Sequence, residues 1–80
     1  ASQSPLILRM DREGRLWLNQ DAVAESEFER RLTQALAQRA DPVLFVDGDA
    51  ELPFAAIARM VDRARGLGFS RTAILPSSRR

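Results

Sequence analysis

The pattern of apolar residues predicts an α/β fold of the α+β type: a two-layer sandwich in which two helices cover one face of a mixed sheet. Three observations carry this. Alternating apolar residues flank a glycine turn near the start, two later stretches place apolar residues at helical spacing, and a continuous apolar run separates those stretches. In chain order the elements read β-β-α-β-α-β.

Leu6-Ile-Leu-Arg-Met10 alternates as a strand, and Arg15-Leu-Trp-Leu-Asn19 returns as a second. Asp11-Arg-Glu-Gly14 between them reads as a hairpin loop of about four residues, with Gly14 supplying the positive φ. The first helix is expected from Ser26, which forms a capping box with Glu29. Phe28, Leu32, Ala35 and Leu36 then fall on one helical face. Asp41-Pro42 is the expected stop, since a residue before proline is pushed out of the α region. Val43-Leu-Phe-Val-Asp47 reads as a strand buried on both faces, followed by a loop over Gly48-Asp-Ala-Glu-Leu52. Pro53 suits the first turn of a second helix, whose apolar stripe is Phe54, Ile57, Ala58, Val61 and Ala64. Gly66 and Gly68 end it, and Phe69 to Leu75 forms the last strand. A helix of crossover length joins the last two strands, which makes them parallel with a right-handed connection.

The domain is expected over residues 5–75. The polar stretches 1–4 and 76–80 are expected as flexible ends. Hydrophobic residues make up 45% of the 80, and twelve of them are alanine, so the core is small and stability modest. Cysteine and histidine are both absent. Disulfides cannot reinforce the fold, and a transition metal has no soft or imidazole ligand. A partner subunit is the remaining source of extra stability.

All twelve cations are arginine against eleven acids, a net charge of +1. They are interleaved with acids along the hairpin and both helices, which argues against nucleic-acid binding. A membrane span needs about 20 consecutive apolar residues; the strongest runs here are Pro5-Leu-Ile-Leu8 and Val43-Leu-Phe-Val46.

Catalytic chemistry finds little to work with. Asp47-Gly48-Asp49-Ala50-Glu51 begins like a calcium loop, but Leu52 and Ala58 stand where an EF-hand needs glycine and glutamate. Those carboxylates are expected to cap and solvate the loop. Gly66-Leu-Gly68 follows a helix, whereas a dinucleotide fingerprint lies between strand and helix. No serine sits in a nucleophile context. The chain is therefore read as a binding module, not an enzyme, with no cofactor and no metal.

The sheet offers the surface for binding. Leu6, Leu8, Met10, Leu16 and Leu18 share one alternation phase, the natural helix-covered face. Ile7 and Trp17 then lie on the other, with one of the pairs Val43/Phe45 or Leu44/Val46. The last strand, if an edge, could accept a partner strand. Ile7, Trp17, Phe45, Thr72 and Ile74 are the candidate interaction residues.

Four segments in this order and spacing resemble the periplasmic domain of the ExbD/TolR biopolymer-transport family. They are Asp11-Arg-Glu-Gly-Arg-Leu-Trp-Leu-Asn19, Phe28-Glu-Arg-Arg-Leu32, Val43-Leu-Phe-Val-Asp-Gly-Asp-Ala-Glu-Leu-Pro-Phe54, and Ile57-Ala-Arg-Met-Val-Asp-Arg-Ala-Arg-Gly-Leu-Gly-Phe69 with Ala73-Ile-Leu75. The resemblance spans residues 5–75. The chain departs from the family pattern in having Asn19-Gln20 where an asparagine-glycine is frequent, and Val23-Ala24 where Val-Ser often introduces the first helix.

The resemblance implies the periplasmic part of a single-pass bacterial inner-membrane protein, whose membrane anchor with its proton-carrying aspartate lies outside these residues. It further implies a homodimer, an ExbB/TolQ-type membrane subunit, a TonB/TolA-type energy transducer and, for TolR-like members, contact with peptidoglycan. The residues alone also admit another class: a small ferredoxin-like regulatory domain of the cytoplasm that binds a metabolite near Gly48, Asp49 and Pro53.

Overall fold

The computed structural model describes residues 5–75, and the ends at 1–4 and 76–80 lie outside them. Five strands form one mixed sheet: β1 (Leu6–Met10), β2 (Leu16–Leu18), β3 (Asp21–Val23), β4 (Leu44–Gly48) and β5 (Thr72–Ile74), in the order β3-β2-β1-β4-β5. The helices are α1 (Phe28–Ala37), preceded by a 3-10 turn at Glu25–Glu27, and α2 (Phe54–Gly66). β1 pairs antiparallel with β2 and parallel with β4, and β4 pairs parallel with β5. The predicted two-layer α+β architecture is the one found.

One cluster unites the layers. Leu6, Leu8, Leu16, Leu18, Val23, Leu44 and Val46 from the sheet meet Phe28 and Leu32 of α1 and Ile57, Met60 and Ala64 of α2. Phe28, Leu44, Val46, Ala64 and Phe69 are fully excluded from water. Within each central strand the burial alternates, so both helices cover the same face, and among the described residues the other lacks a helix.

Several local expectations are corrected. The first hairpin loop has three residues, because the Asp11 N–H donates to the Arg15 carbonyl and Gly14, at φ +85°, closes the turn. β2 ends at Leu18. Asn19 then enters the left-handed region at φ 56° and starts a two-residue turn into β3, a strand the sequence reading lacks.

The capping box does not form. Ser26 lies inside the 3-10 turn, and neither that turn nor α1 has a side-chain cap. α1 ends at Ala37, ahead of Asp41-Pro42, so the proline is not what stops the helix. β4 runs through Gly48, one residue past Asp47. Pro53 is the N-cap residue of α2, with extended backbone, and does not lie within its first turn. Phe54 is 67% exposed and no part of the core stripe. Ile57 already sits over Gly48, the last residue of β4, so one turn earlier the helix has run past the sheet.

The helix-stop reading of Gly68 holds in detail. The Phe69 N–H donates to the Ala64 carbonyl and the Gly68 N–H to the Arg65 carbonyl, with Gly68 at φ +122°. This is the Schellman arrangement. It turns Phe69 into the core rather than into a strand, and β5 begins only at Thr72.

Candidate interaction surface

The strand registers place each candidate residue. Ile7 stands beside Phe45 and Arg9 beside Asp47 across β1 and β4; Arg9 stands beside Trp17 across β1 and β2. Trp17 faces Ala22, and Phe45 faces Ala73. Paired residues share a face, so Ile7, Trp17 and Phe45 come together on the helix-free face, all three half-buried by their neighbours. Of the two pairs left open in the third predicted strand, Val43/Phe45 is the one on this side, while Leu44 and Val46 enter the core.

Thr72 and Ile74 do not join them. They pair with Leu44 and Val46 and therefore lie toward the helices, on the edge strand β5. Ile74 is 47% exposed and, with Phe54, makes up the exposed large hydrophobics of the described residues. The candidates thus form two surfaces, a sheet face and a sheet edge.

Three residues of the face were not singled out as candidates from sequence. Arg9 holds its guanidinium 5.6 Å from the Trp17 ring centroid, within cation–π range. Asp47 and Leu75 join Ile7, Arg9, Pro5 and Asn19 around a shallow, open depression of about 660 Å3. The signal for Arg9 was its alternation phase with Ile7; Asp47 and Leu75 needed the β1–β4–β5 register.

The Trp17 end of the face is built by the hairpin. The Trp17 indole N–H donates to Asp11 Oδ2 (3.2 Å), which also accepts from Arg15 Nε (3.1 Å). Asp11 Oδ1 accepts the backbone N–H groups of Glu13 and Arg15. Burial pulls the Asp11 carboxyl up. The bonds from the Arg15 backbone, the Trp17 indole and the Arg15 side chain outweigh it and hold the group below the ordinary carboxylate range.

A carboxylate depressed in this way stabilises the fold above its unfolded-state pKa. The contribution is lost as pH falls through the folded-state value. Asp11→Asn is therefore expected to lower stability at neutral pH and to converge with the wild type in acid. Urea unfolding at both pH values, followed by Trp17 fluorescence, checks this; equal loss at both would assign Asp11 a role independent of its charge.

At the other end of β1, the Ile7 N–H donates to Asn19 Oδ1 (2.8 Å) and the Asn19 N–H to the Ile7 carbonyl (2.8 Å). Asn19 thereby completes the ladder where β2 stops. The loop carboxylates act as expected of them: Asp47 Oδ1 accepts the Gly48 N–H and Asp49 Oδ1 the Glu51 N–H. Among the described residues no group of three or more His, Cys, Asp or Glu is placed to hold a metal ion.

The helical side is laced by ion pairs. Arg63 of α2 lies 2.7 Å from Glu25 and 4.1 Å from the centroid of the buried Phe28 ring, joining the two helices. Arg71 meets both oxygens of Asp41 at 2.7 Å. Such exposed pairs are each worth at most about 1 kcal/mol. They order the surface without making a site.

No described helix is long and apolar enough to cross a membrane. The chain matches no curated protein. It does match the family model described as "Biopolymer transport protein ExbD/TolR" over residues 1–78, a family of transport-associated proteins. With nearly every residue inside that match, the chain belongs to the ExbD/TolR family of biopolymer transport proteins.

Proposed function

We propose that this chain is the periplasmic interaction domain of a single-pass inner-membrane ExbD/TolR subunit. In this reading it serves a proton-motive-force-driven motor that energises transport or maintains the envelope. The observation that carries the reading is a sheet that, among the described residues, has one face free of helices and an open edge at β5. An apolar, aromatic-bearing face of this kind is characteristic of interaction sites, and an edge with exposed Ile74 suits strand addition.

The partners in this reading are a second copy of the chain, an ExbB/TolQ-type membrane subunit and a TonB/TolA-type transducer. Contact with peptidoglycan belongs to the same reading for a TolR-like member. The cytoplasmic metabolite-binding alternative is not favoured. The space over Gly48 is filled by the Ile57 side chain, whose Cδ1 stands where a Cβ would need to go, and Leu52 approaches the same spot. Asp49 is engaged within its own loop.

These 80 residues contain no cysteine, so a single cysteine introduced among them reports its own position within this domain. In cells, with the subunit in its membrane complex, Trp17→Cys and Ile74→Cys are expected to cross-link to a second copy or to the transducer, the adduct being identified by mass. Thr33→Cys on the exposed side of α1 serves as control. Adducts at Thr33 with none at either sheet position would overturn the reading.

A further inference from the structure

Arg9 and Asp47 stand side by side on β1 and β4, on the helix-free face, yet they close no ion pair. Arg9 leans the other way. Its guanidinium lies over the Trp17 ring on β2, 5.6 Å from the centroid, with no acid within salt-bridge distance among the described residues. Neighbouring strands are about 4.8 Å apart, so β2 and β4 are separated by about 10 Å. A guanidinium drawn toward β2 and a carboxylate on β4 therefore leave a gap wider than a direct salt bridge. One small molecule can span it.

Both charges keep bonding capacity for such a guest. No hydrogen bond engages the Arg9 guanidinium among the described residues, and its planar fork suits a carboxylate held by two N–H groups. Asp47 uses Oδ1 for the Gly48 N–H and leaves Oδ2 to accept from an ammonium. The gap opens onto the shallow depression described above, where Pro5, Ile7 and Leu75 supply apolar wall beside the two charges. A simple anion on Arg9 would leave Asp47 unpaired beside it, and a simple cation on Asp47 would face Arg9. The arrangement selects a guest that is neutral in sum, with a carboxylate and an ammonium close together and an apolar remainder.

We infer that this depression binds the ammonium–carboxylate group of an α-amino acid, with the carboxylate on Arg9, the ammonium on Asp47 Oδ2 and the side chain against Ile7 and Leu75. Two sources carry that group: a free amino acid, and an amino acid joined to a larger molecule through its side chain. The inference goes beyond the interaction role and does not rest on it.

Titration followed by heteronuclear NMR tests it. L-leucine is expected to shift the backbone amide signals of Ile7, Arg9 and Asp47, with a Kd on the order of 1 mM for so open a site. N-acetylleucine lacks the ammonium and leucinamide lacks the carboxylate; each is expected to bind at least about tenfold more weakly. Arg9→Gln and Asp47→Asn are expected to weaken leucine by a similar factor, about tenfold, whereas Arg59→Gln on the exposed side of α2 leaves it unchanged. Nε-acetyllysine keeps the α-group and carries its side chain through an amide. Binding as tight as leucine or tighter admits the attached source, and much weaker binding restricts the site to free amino acids.

The amide spectrum of each variant establishes that it is folded, and the two blocked ligands test the wild type whatever the variants do. Absence of leucine-dependent shifts at these residues overturns the inference. So does N-acetylleucine or leucinamide binding as tightly as leucine, which would reduce the site to a single charge. A negative titration leaves the cross-linking outcome at Trp17 and Ile74 untouched, so the two readings fail separately.

Discussion

Replacing Phe28 with alanine is expected to cost about 3–5 kcal/mol, the range for large-to-alanine changes in a core that cannot collapse. A domain of this size has a total stability of only about 4–12 kcal/mol. The loss would therefore remove at least about a quarter of that stability and, at the lower end of the range, unfold the domain at ambient temperature. Phe28 is the first residue of α1, wholly excluded from water and packed in the cluster that joins both helices to the sheet. Its ring also receives the Arg63 guanidinium from α2, so truncation removes a contact that registers one helix against the other. Phe28→Leu, which keeps most of the volume, is expected to cost less than half as much. Urea denaturation followed by Trp17 fluorescence measures both. A Phe28→Ala protein with an unchanged midpoint would mean that the core is not organised around this ring.

The second large effect is expected at Gly68. Its φ of +122° lies where side chains rarely go, and an added Cβ would stand 2.7 Å from Leu36 Cδ2. Gly68→Ala is expected to destabilise by about 1–3 kcal/mol through backbone strain, with further cost from crowding α1. The two parts separate in a Leu36→Ala background, where the crowding disappears and the strain persists. Gly66, two residues earlier, supplies the contrast. It is helical, a Cβ there would meet nothing within 4 Å, and Gly66→Ala is expected to gain about 0.4–1 kcal/mol. Equal effects at the two glycines would refute the conformational argument.

These glycines also show what was legible in the sequence. The helix-ending Gly68 before an aromatic, the apolar positions of α1, and the alternation in β1 and β2 each follow from a local pattern and were read correctly, whereas Gly66 is the last residue of α2 and does not end it. The parallel pairing of β4 and β5 followed from the length of the helix between them. What escaped depended on context. β3 is three residues with one buried side chain, Val23, too short for alternation to show. Its turn carries Asn19-Gln20, where only the asparagine takes the left-handed conformation, so the usual hairpin dipeptide is absent. The Ser26–Glu29 spacing met the pattern of a capping box, yet a tighter turn claimed the serine.

The interaction face was half legible for the same reason. Alternation separated Ile7 and Trp17 from the core-facing residues. It could not show that Asp47 stands beside Arg9, because that adjacency arises between strands separated by all of α1. Nor could it place Thr72 and Ile74 on the helical side, since the register of an edge strand is fixed by its neighbour and not by its own three residues.

The strand order carries a consequence for how the chain is made. β1, the first described strand to leave the ribosome, occupies the middle of the sheet, and its neighbour β4 follows more than thirty residues later. Until then Leu6 and Leu8 have only the short β2–β3 meander and α1 to pack against, without the central neighbour β4 or the second helix. Closing that long gap is an entropic cost incurred before the contacts that offset it exist, which favours slow, late, all-at-once folding over stepwise growth. During synthesis the nascent segment therefore presents a leucine-rich sheet with an open β1 edge and only one of its two covering helices. A ribosome stalled between α1 and β4 should display it to holdase chaperones, and one stalled well after β5 should not.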